Sequence, residues 1–376
     1  MSEMMQVPDG WEVKPLKDIL TIQYGKDQKE VESESGKYPI LGSGGVIGYT
    51  NNFLYDKPSV LIGRKGTINN PQYMETPFWT VDTLFYSHIK NKNVPKWVFY
   101  VFQSINWDSY NEASGVPSLS TANINRIEVL RPTVKEQEQI AKILSTLDKN
   151  IETTNRLIEK EKNIKKALMQ ELLTNGIDKD GHIRTRATHA YKESELGLIP
   201  EEWELVSLDD FFKLKSGDTK PEDTSDSGIY EVYGGNGITG YSNSKNNNDE
   251  TLIIGRVGEY CGSIYLVNEC WITDNALYIT KKVKKFDTQY MFYLLHFLNL
   301  NKYKSETGQP LLNQTTIGNV KTSYPKDKYE QKQIAKILTT QDKKIEIEET
   351  NLAKLKELKK GLMNDLLSGK VRVKSA

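Results

Sequence analysis

A stretch of about forty residues that occurs twice, with no residue gained or lost, constrains this chain more than any other feature. Residues 135–176 (KEQEQIAKILSTLDKNIETTNRLIEKEKNIKKALMQELLTNG) return as 329–370 (YEQKQIAKILTTQDKKIEIEETNLAKLKELKKGLMNDLLSGK). Glu136-Gln137 aligns with Glu330-Gln331, 139–144 with 333–338, and Leu168-Met169 with Leu362-Met363, every pair 194 positions apart. Strict register over that length suits a rigid element better than a loop.

Both copies read as long helices. In the first, Ile140, Ile143, Leu144, Leu147, Ile151, Leu157, Ile158, Ile164, Leu168 and Leu172 keep the mixed three- and four-residue spacing of one apolar stripe. The second carries Ile334, Ile337, Leu338, Ile345, Leu352, Leu355, Leu358, Leu362 and Leu366. Pro132 and Pro325 lie just upstream as start signals, and Asn175-Gly176 reads as the stop of the first copy. At 1.5 Å per residue each rod is about 55–60 Å long. A helix of that length with one apolar stripe needs a partner helix, so the two copies are expected to pack as an antiparallel coiled coil.

The repeat extends beyond the helices. Residues 8–20 (PDGWEVKPLKDIL) are echoed by 200–212 (PEEWELVSLDDFF), which aligns Trp11 with Trp203. The same offset of 192 joins 36–51 to 228–243, SVLIGRKG (59–66) to TLIIGRVG (251–258), and WTVDTLFY (79–86) to WITDNALY (271–278). It becomes 193 between SGVPSLSTANI (114–124) and TGQPLLNQTTI (307–317) before reaching 194 in the helices. Slips of a single residue belong in loops, which tolerate them.

The expected fold is therefore α+β: two similar globular α/β domains, each followed by a long helix, with the two helices packed together and pseudo-two-fold symmetry. The boundaries read 1–133 for the first domain, 134–175 for its helix, 176–199 for a polar, pattern-free surface linker, 200–327 for the second domain, 328–370 for its helix and 371–376 for a tail. Val60-Leu61-Ile62, Leu252-Ile253-Ile254 and Trp271-Ile272 read as short strands, and 97–105 and 290–300 as short buried helices. Trp11, Trp79, Trp203 and Trp271 are expected in the core.

Composition narrows the function. The 376 residues carry 50 basic and 50 acidic side chains, so net charge does not announce a nucleic-acid partner and any basic surface must be local. Cys261 and Cys270 suit buried packing better than a disulfide or metal pair, and His88, His182, His189 and His296 lack ligand spacing, so no metal site is expected. No run of 18 apolar residues occurs and no basic-then-apolar leader opens the sequence, which points to a cytoplasmic protein without a membrane partner.

Three local matches invite an enzymatic reading and fail on context. Residues 235–240 (GNGITG) fit a dinucleotide-loop glycine pattern, but YSNS follows where a helix must begin, and Ser43 stands in the first copy where the pattern needs glycine. These glycines read as a turn between strands. Asn70-Pro71-Gln72-Tyr73 has Gln72 where the adenine-methyltransferase tetrapeptide has its second proline, and it too reads as a turn. Pro8-Asp9 with Glu12 and Lys14 crowds a nuclease-like set into one segment, and the second copy replaces Lys14 by Val206. No Gly-Lys-Ser/Thr phosphate loop occurs. No catalytic residues are assigned, and the chain reads as a binding or positioning device.

Taken together, these parts resemble the specificity subunit of type I restriction–modification systems. The resemblance is carried by the Pro-x-x-Trp openings at Pro8 and Pro200, the Pro-then-Glu-Gln-x-x-Ile starts of both helices, their Leu-Met-x-x-Leu-Leu ends, and the Leu196-Gly197-Leu198-Ile199-Pro200 lead-in to the second half. It implies two target recognition domains, each reading one half of a bipartite double-stranded DNA site. The helices would act as spacer and as seat for two modification (methyltransferase) subunits. It also implies that this chain is non-catalytic and binds no cofactor. S-adenosylmethionine serves adenine methylation in the modification subunits, while ATP and Mg serve translocation and cleavage in the restriction subunits. The alternatives are a stand-alone DNA methyltransferase or nuclease, and a coiled-coil scaffold without nucleic acid.

Comparing the copies sorts the DNA-contact candidates. Residues that read different half-sites should differ between halves, whereas shared residues should be scaffold or backbone contacts. Arg64 and Arg256 share an Ile-Gly-Arg context, which suits phosphate contact or pairing with Asp82 and Asp274. The diverged loops suit base edges. In the first half they supply Lys26, Gln28 and Lys29, then Lys65, Asn69 and Asn70, then Ser118, Ser120 and Thr121. In the second they supply Lys220, Asn236, Gln309, Asn313, Gln314 and Thr315.

Overall fold

The structure, a computed structural model, describes residues 7–90, 92–305 and 308–373. Residues 1–6 of the first expected domain, Thr307 of the repeated block and residues 374–376 of the tail lie outside the described residues. The chain forms two compact units: one joins the part up to Arg156 with the part from Thr350 onward, and the other is Leu157–Glu349. Each long helix, Val134–Thr174 and Lys328–Leu367, thus gives its N-terminal part to one unit and its C-terminal part to the other.

In the first unit a four-stranded antiparallel sheet runs in the order Leu20–Tyr24, Leu84–Ile89, Ser59–Gly63, Gln72–Met74. A three-stranded sheet orders Gly45–Thr50, Tyr38–Gly42 and Trp79–Thr80, with its last pair parallel. Glu12–Pro15 pairs with Glu128–Arg131. The second unit repeats this order with Phe212–Ser216, Ala276–Lys282, Thr251–Gly255 and Ile264–Val267, then Gly237–Ser242, Tyr230–Gly234 and Trp271–Ile272. Trp203–Ser207 there pairs with Lys321–Pro325. The glycine-rich 235–240 is the hairpin turn and following strand that the sequence suggests. The Asn70-Pro71-Gln72-Tyr73 stretch is not the turn read above: the chain bends at Asn69, and Gln72 and Tyr73 begin a strand against Val60 and Leu61, with the Gln72 side-chain amide donating to the carbonyls of Gly42 (2.8 Å) and Ser43 (3.3 Å).

A short apolar helix lies at the heart of each core. Pro95–Ser104 starts on a proline, whose missing N–H costs nothing in a first turn, and buries all of 97–102. Being apolar all round, it is a core element. Trp97, Val98 and Phe102 pack with Val60 and Ile62 of the sheet, with Ile140 and Leu144 of the first long helix, and with Leu362, Met363 and Leu366 from the end of the second. Thr288–Leu298 does the same in the second unit, among Leu252, Ile254, Ile334, Leu338, Leu172 and Leu173. The apolar stripe therefore has two partners in each unit, the globular domain and the other long helix. Farther along, Leu157, Ile164, Ile347 and Leu358 are exposed.

The repeated Glu-Gln pair locks the helix start. Gln137 accepts the Val94 amide (2.9 Å) and donates to the Pro132 carbonyl (3.0 Å), while Gln331 does the same with Asp287 (2.8 Å) and Pro325 (2.8 Å). Glu136 accepts the Trp11 indole N–H (3.1 Å), and Glu330 accepts that of Trp203 (3.2 Å). Buried carboxylates need a counter-charge. Arg372 supplies it to Glu136 (2.7 Å), and Arg184 supplies it to Glu330 through two hydrogen bonds. Burial alone would raise the Glu136 carboxyl, but hydrogen bonds from Arg372, Thr133 and Trp11 hold it below the usual range. About three turns farther along, Tyr100 donates to Asp148 (2.7 Å) and Tyr293 to Asp342 (2.7 Å), and burial together with that carboxylate pushes Tyr293 up to about 12.

Within each unit the helix segments run antiparallel. Asp148 meets Lys359 (2.6 Å) and Glu136 meets Arg372 in the first, while Asp342 meets Lys165 (2.6 Å) and Glu330 meets Arg184 in the second. Residues 176–199, read above as a polar surface linker, are mostly exposed but are tied to the second unit at several points. Gly176 ends the helix at φ +67, Ile177 and Arg184 are buried, and Tyr191–Lys192 pairs with Ile199–Pro200. The tie is Glu330, whose buried carboxylate holds the Arg184 guanidinium. Two described residues of the tail are likewise docked, Arg372 on Glu136 and Val373 against the core. Trp11, Trp79 and Trp203 are buried as expected, whereas Trp271 is only half-buried, its indole donating to the Thr219 carbonyl (3.2 Å). Cys261 and Cys270 are buried free thiols.

Candidate nucleic-acid interface

In each unit the Ile-Gly-Arg strand end gathers the diverged loops. Gly63 and Gly255 must be glycine, because a Cβ would stand 2.0 Å from the Thr67 carbonyl in one case and the Gly235 carbonyl in the other. In the first unit that close approach folds the following loop back on the strand, and in the second it brings the earlier hairpin at Gly235 against it. The arginine after it is pinned by its backbone on both sides. Arg64 donates its N–H to the Thr83 carbonyl (2.8 Å) and accepts from Leu119 (2.9 Å), while Arg256 donates to Asn275 (3.0 Å) and accepts from Leu312 (2.8 Å). Lys65 then bridges Ser118, and Val257 bridges Leu311. Sequence segments that are far apart, 64–66 with 117–119 and 256–258 with 310–312, thus become neighbours.

The arginine side chains differ from the expectation. Arg64 donates to the Asp82 main-chain carbonyl (3.1 Å) rather than to its carboxylate, and its guanidinium lies 5.5 Å from the centre of the Tyr24 ring. Arg256 donates to the Ser216 hydroxyl (2.7 Å), and its Nε is buried without a partner. Among the described residues no ion pair joins either arginine to Asp82 or Asp274. Each aspartate is the first central residue of a tight turn, Val81–Leu84 or Thr273–Ala276, and the arginine finds a neutral acceptor instead.

The other candidates separate into three groups. Lys65, Ser118, Ser120 and Thr121 lie together beside Arg64, and Gln309, Asn313, Gln314 and Thr315 line the matching edge beside Arg256. Asn236 sits at the tip of the hairpin that Gly235 presses against Gly255. Two of these residues have structural duties, since Ser120 caps the helix Thr121–Arg126 and Asn313 caps Gln314–Gly318. Gln314 also donates to the Leu214 carbonyl (3.4 Å). Lys26 and Lys220 are exposed, with Lys26 accepting the Trp79 indole N–H (3.0 Å) on its carbonyl. Gln28 and Lys29 leave this edge, because the chain turns at Gln28 to pair Glu32 with Thr50. Asn69 and Asn70 also stand apart. They line an open cleft of about 950 Å³ with Gln103, Lys356, Lys360 and Asn364, and Asn69 donates to Asp108 (3.4 Å).

The sequence reading missed Tyr24, which is 54% exposed under Arg64, whereas Tyr260, 60% exposed on the loop after Arg256, lies in one of the diverged loops that the copies single out. The signal for Tyr24 is present in the copies, since it stands opposite Ser216 immediately before the aligned Gly25 and Gly217. Asp178, Asp180 and His182 bring their ligand atoms within 4.8 Å, a grouping that histidine spacing alone did not show. Asp178 already accepts the amides of Asp180 and His182 (2.9 Å each), which hold its carboxyl below the usual range, and the loop is exposed, so no ligand role is assigned. No helix among the described residues is long and apolar enough to cross a membrane.

A family model described as Type I restriction modification DNA specificity domain matches residues 8–162 and again 200–357. The chain belongs to this family. As a specificity chain it is a DNA-recognition subunit with two repeated domains. It is 26% identical to the type I restriction enzyme MjaVIII specificity subunit of Methanocaldococcus jannaschii, over 99% of this chain and 95% of that one. It is 23% identical to the EcoprrI specificity subunit of Escherichia coli, over 86% of each. The fold matches the crystal structure of a type I restriction–modification S subunit from M. genitalium with a TM-score of 0.70 at 18% identity, covering 98% of both chains. A second match, at TM-score 0.55 and 14% identity, is a chain from work on complex assembly and conformational transition of the type I R-M system, covering 97% of this chain and 100% of that one.

Proposed function

We propose that each unit reads one part of a bipartite double-stranded DNA site through the edge built on Arg64 or Arg256. The long helices set the distance between the two parts and seat two modification subunits. The observation that carries this is the repeated strand end, at which a fixed backbone frame collects three loops whose sequences differ between copies. A constant frame with variable loops is what two readers of unequal half-sites require. Lys26, Lys65, Ser118, Thr121, Lys220, Asn236, Gln309, Gln314 and Thr315 are proposed as contacts on this ground. In this reading the chain performs no chemistry and holds no cofactor or metal. S-adenosylmethionine is used by the modification subunits, ATP and Mg by the restriction subunits, and the complex works in the cytoplasm. With 50 basic and 50 acidic residues, the chain leaves much of the electrostatic grip on DNA to its partners.

Inserting four residues, about one helical turn, between Leu157 and Ile164 of the first long helix tests the ruler. Sequencing of methylated sites in cells that express the variant with its modification partner should show an altered gap between the two parts. An unchanged gap in a complex of normal activity refutes it. Methylation by the purified chain alone would refute the non-catalytic assignment.

A further inference from the structure

The two copies of the shared arginine are held by the same backbone frame and yet act differently. Tyr24 pairs with Phe85 and Ser216 with Leu277 across equivalent strands, so Tyr24 and Ser216 occupy one position of the repeat. Main-chain bonds from Thr83 and Leu119 fix Arg64 as those from Asn275 and Leu312 fix Arg256. The difference lies in the residue facing the guanidinium. The Tyr24 ring, itself braced edge-on against Phe85 (5.0 Å), holds the Arg64 guanidinium over it at 5.5 Å from its centre, a cation–π contact that uses none of the guanidinium's N–H donors. Among the described residues only Nη1 is engaged, by the Asp82 carbonyl at an exposed site. Ser216 instead draws Nη1 of Arg256 inward at 2.7 Å and leaves its Nε shut off from solvent.

We infer that Arg64 is a base-reading residue aimed at a guanine by Tyr24, whereas Ser216 withholds Arg256 from base contact; this rests on the DNA-recognition reading above. An arginine presented as a restrained fork matches the O6 and N7 acceptors of guanine, and the contact with the ring removes part of the ordering cost of that recognition. Tyr24 is the positioning residue, and the asymmetry lets one fold serve two different half-sites. It also revises the expectation that a shared arginine contacts phosphate or pairs with its aspartate rather than reading a base.

The test reconstitutes the complex with its modification subunits, methylates a randomised DNA library with S-adenosylmethionine, and sequences the methylated molecules. Wild type should select a bipartite sequence. Arg64→Gln and Arg64→Lys should each lose preference at one guanine of one part, by on the order of 5- to 150-fold. Tyr24→Ser should relax the same position and Tyr24→Phe should retain it, a rescue that a merely structural tyrosine would not show at a single base. Arg256→Gln should leave every base preference of the other part in place. The inference is overturned if Arg64→Lys keeps the guanine preference, or if Arg64→Gln weakens all sequences equally and lowers the salt slope by about one, the signature of a phosphate contact. A base preference lost in Arg256→Gln overturns it as well. If the wild-type complex selects no sequence, the recognition reading itself fails and the inference falls with it.

Discussion

Replacing Arg184 by alanine isolates the energetic role of the buried pair in the second unit. Arg184 and Glu330 are 6% and 7% exposed, and the guanidinium also reaches Glu202 (2.9 Å). Without it, the Glu330 carboxylate keeps only the Trp203 indole (3.2 Å) and the Ile177 amide (3.1 Å). An uncompensated buried charge costs about 3–5 kcal/mol. In a unit of this size each kcal/mol lowers the melting temperature by roughly 2–4 °C, so a fall of about 6–20 °C is expected. Arg372→Ala should cost only about 1–2 kcal/mol, because Arg372 is 39% exposed and water can replace much of what it gives Glu136. Adding Glu330→Gln to Arg184→Ala should restore about 1–3 kcal/mol, since a neutral amide leaves no charge unpaired. Urea unfolding measures the totals, and hydrogen-exchange mass spectrometry assigns them to peptides within Leu157–Glu349. A loss below about 1 kcal/mol for Arg184→Ala, or no recovery in the double variant, refutes the argument.

Two further expectations concern the cores. The Tyr290 hydroxyl is buried without a partner, and burial raises its pKa well above the usual value, whereas that of Tyr293 donates to Asp342 at 2.7 Å. Tyr290→Phe should be neutral or stabilising, and Tyr293→Phe should cost about 1.5–3 kcal/mol; reversed urea midpoints would contradict the hydrogen-bond assignment. Glu136 is held below its ordinary 4.5, so its contribution is fully present above that pH and is lost as pH falls through the depressed value. Amides around Trp11 and Glu136 should therefore lose protection below about pH 4.5, and Glu136→Gln should flatten that dependence. A dependence of equal steepness in the variant would place the titrating group elsewhere.

How much of this was legible in the sequence depends on range. The long helices were, because a gap-free repeat with a continuous stripe and a Gly176 stop contains all the local information a helix needs. The strands around Val60–Ile62 and Leu252–Ile254 and the hairpin at 235–240 followed from short apolar runs and glycine. What could not be read was partnership across the chain. The stripe cannot say that Ile140 and Leu144 meet Trp97 as well as Leu366. A polar run such as 176–199 gives no sign that Arg184 will be drawn to Glu330, 146 residues away. At the interface, divergence marked the loops but not their convergence, which depends on the main-chain bonds of Arg64 and Arg256. Tyr24 was overlooked because a tyrosine at a strand end looks like core until its partner is known.

The division of the chain has a consequence for its birth on the ribosome. Domains usually fold in the order they are made. Here the unit that begins with the N-terminus also needs Leu362, Met363 and Leu366, and the Arg372 that neutralises Glu136, whereas Leu157–Glu349 is continuous and complete earlier. Between Arg156 and Thr350 lie 193 residues, on the order of 10–40 s of synthesis. For that interval Ile140 and Leu144 wait with one flank uncovered and Glu136 without its arginine. The half translated first is finished last, and it is the half a chaperone or a protease would meet incomplete.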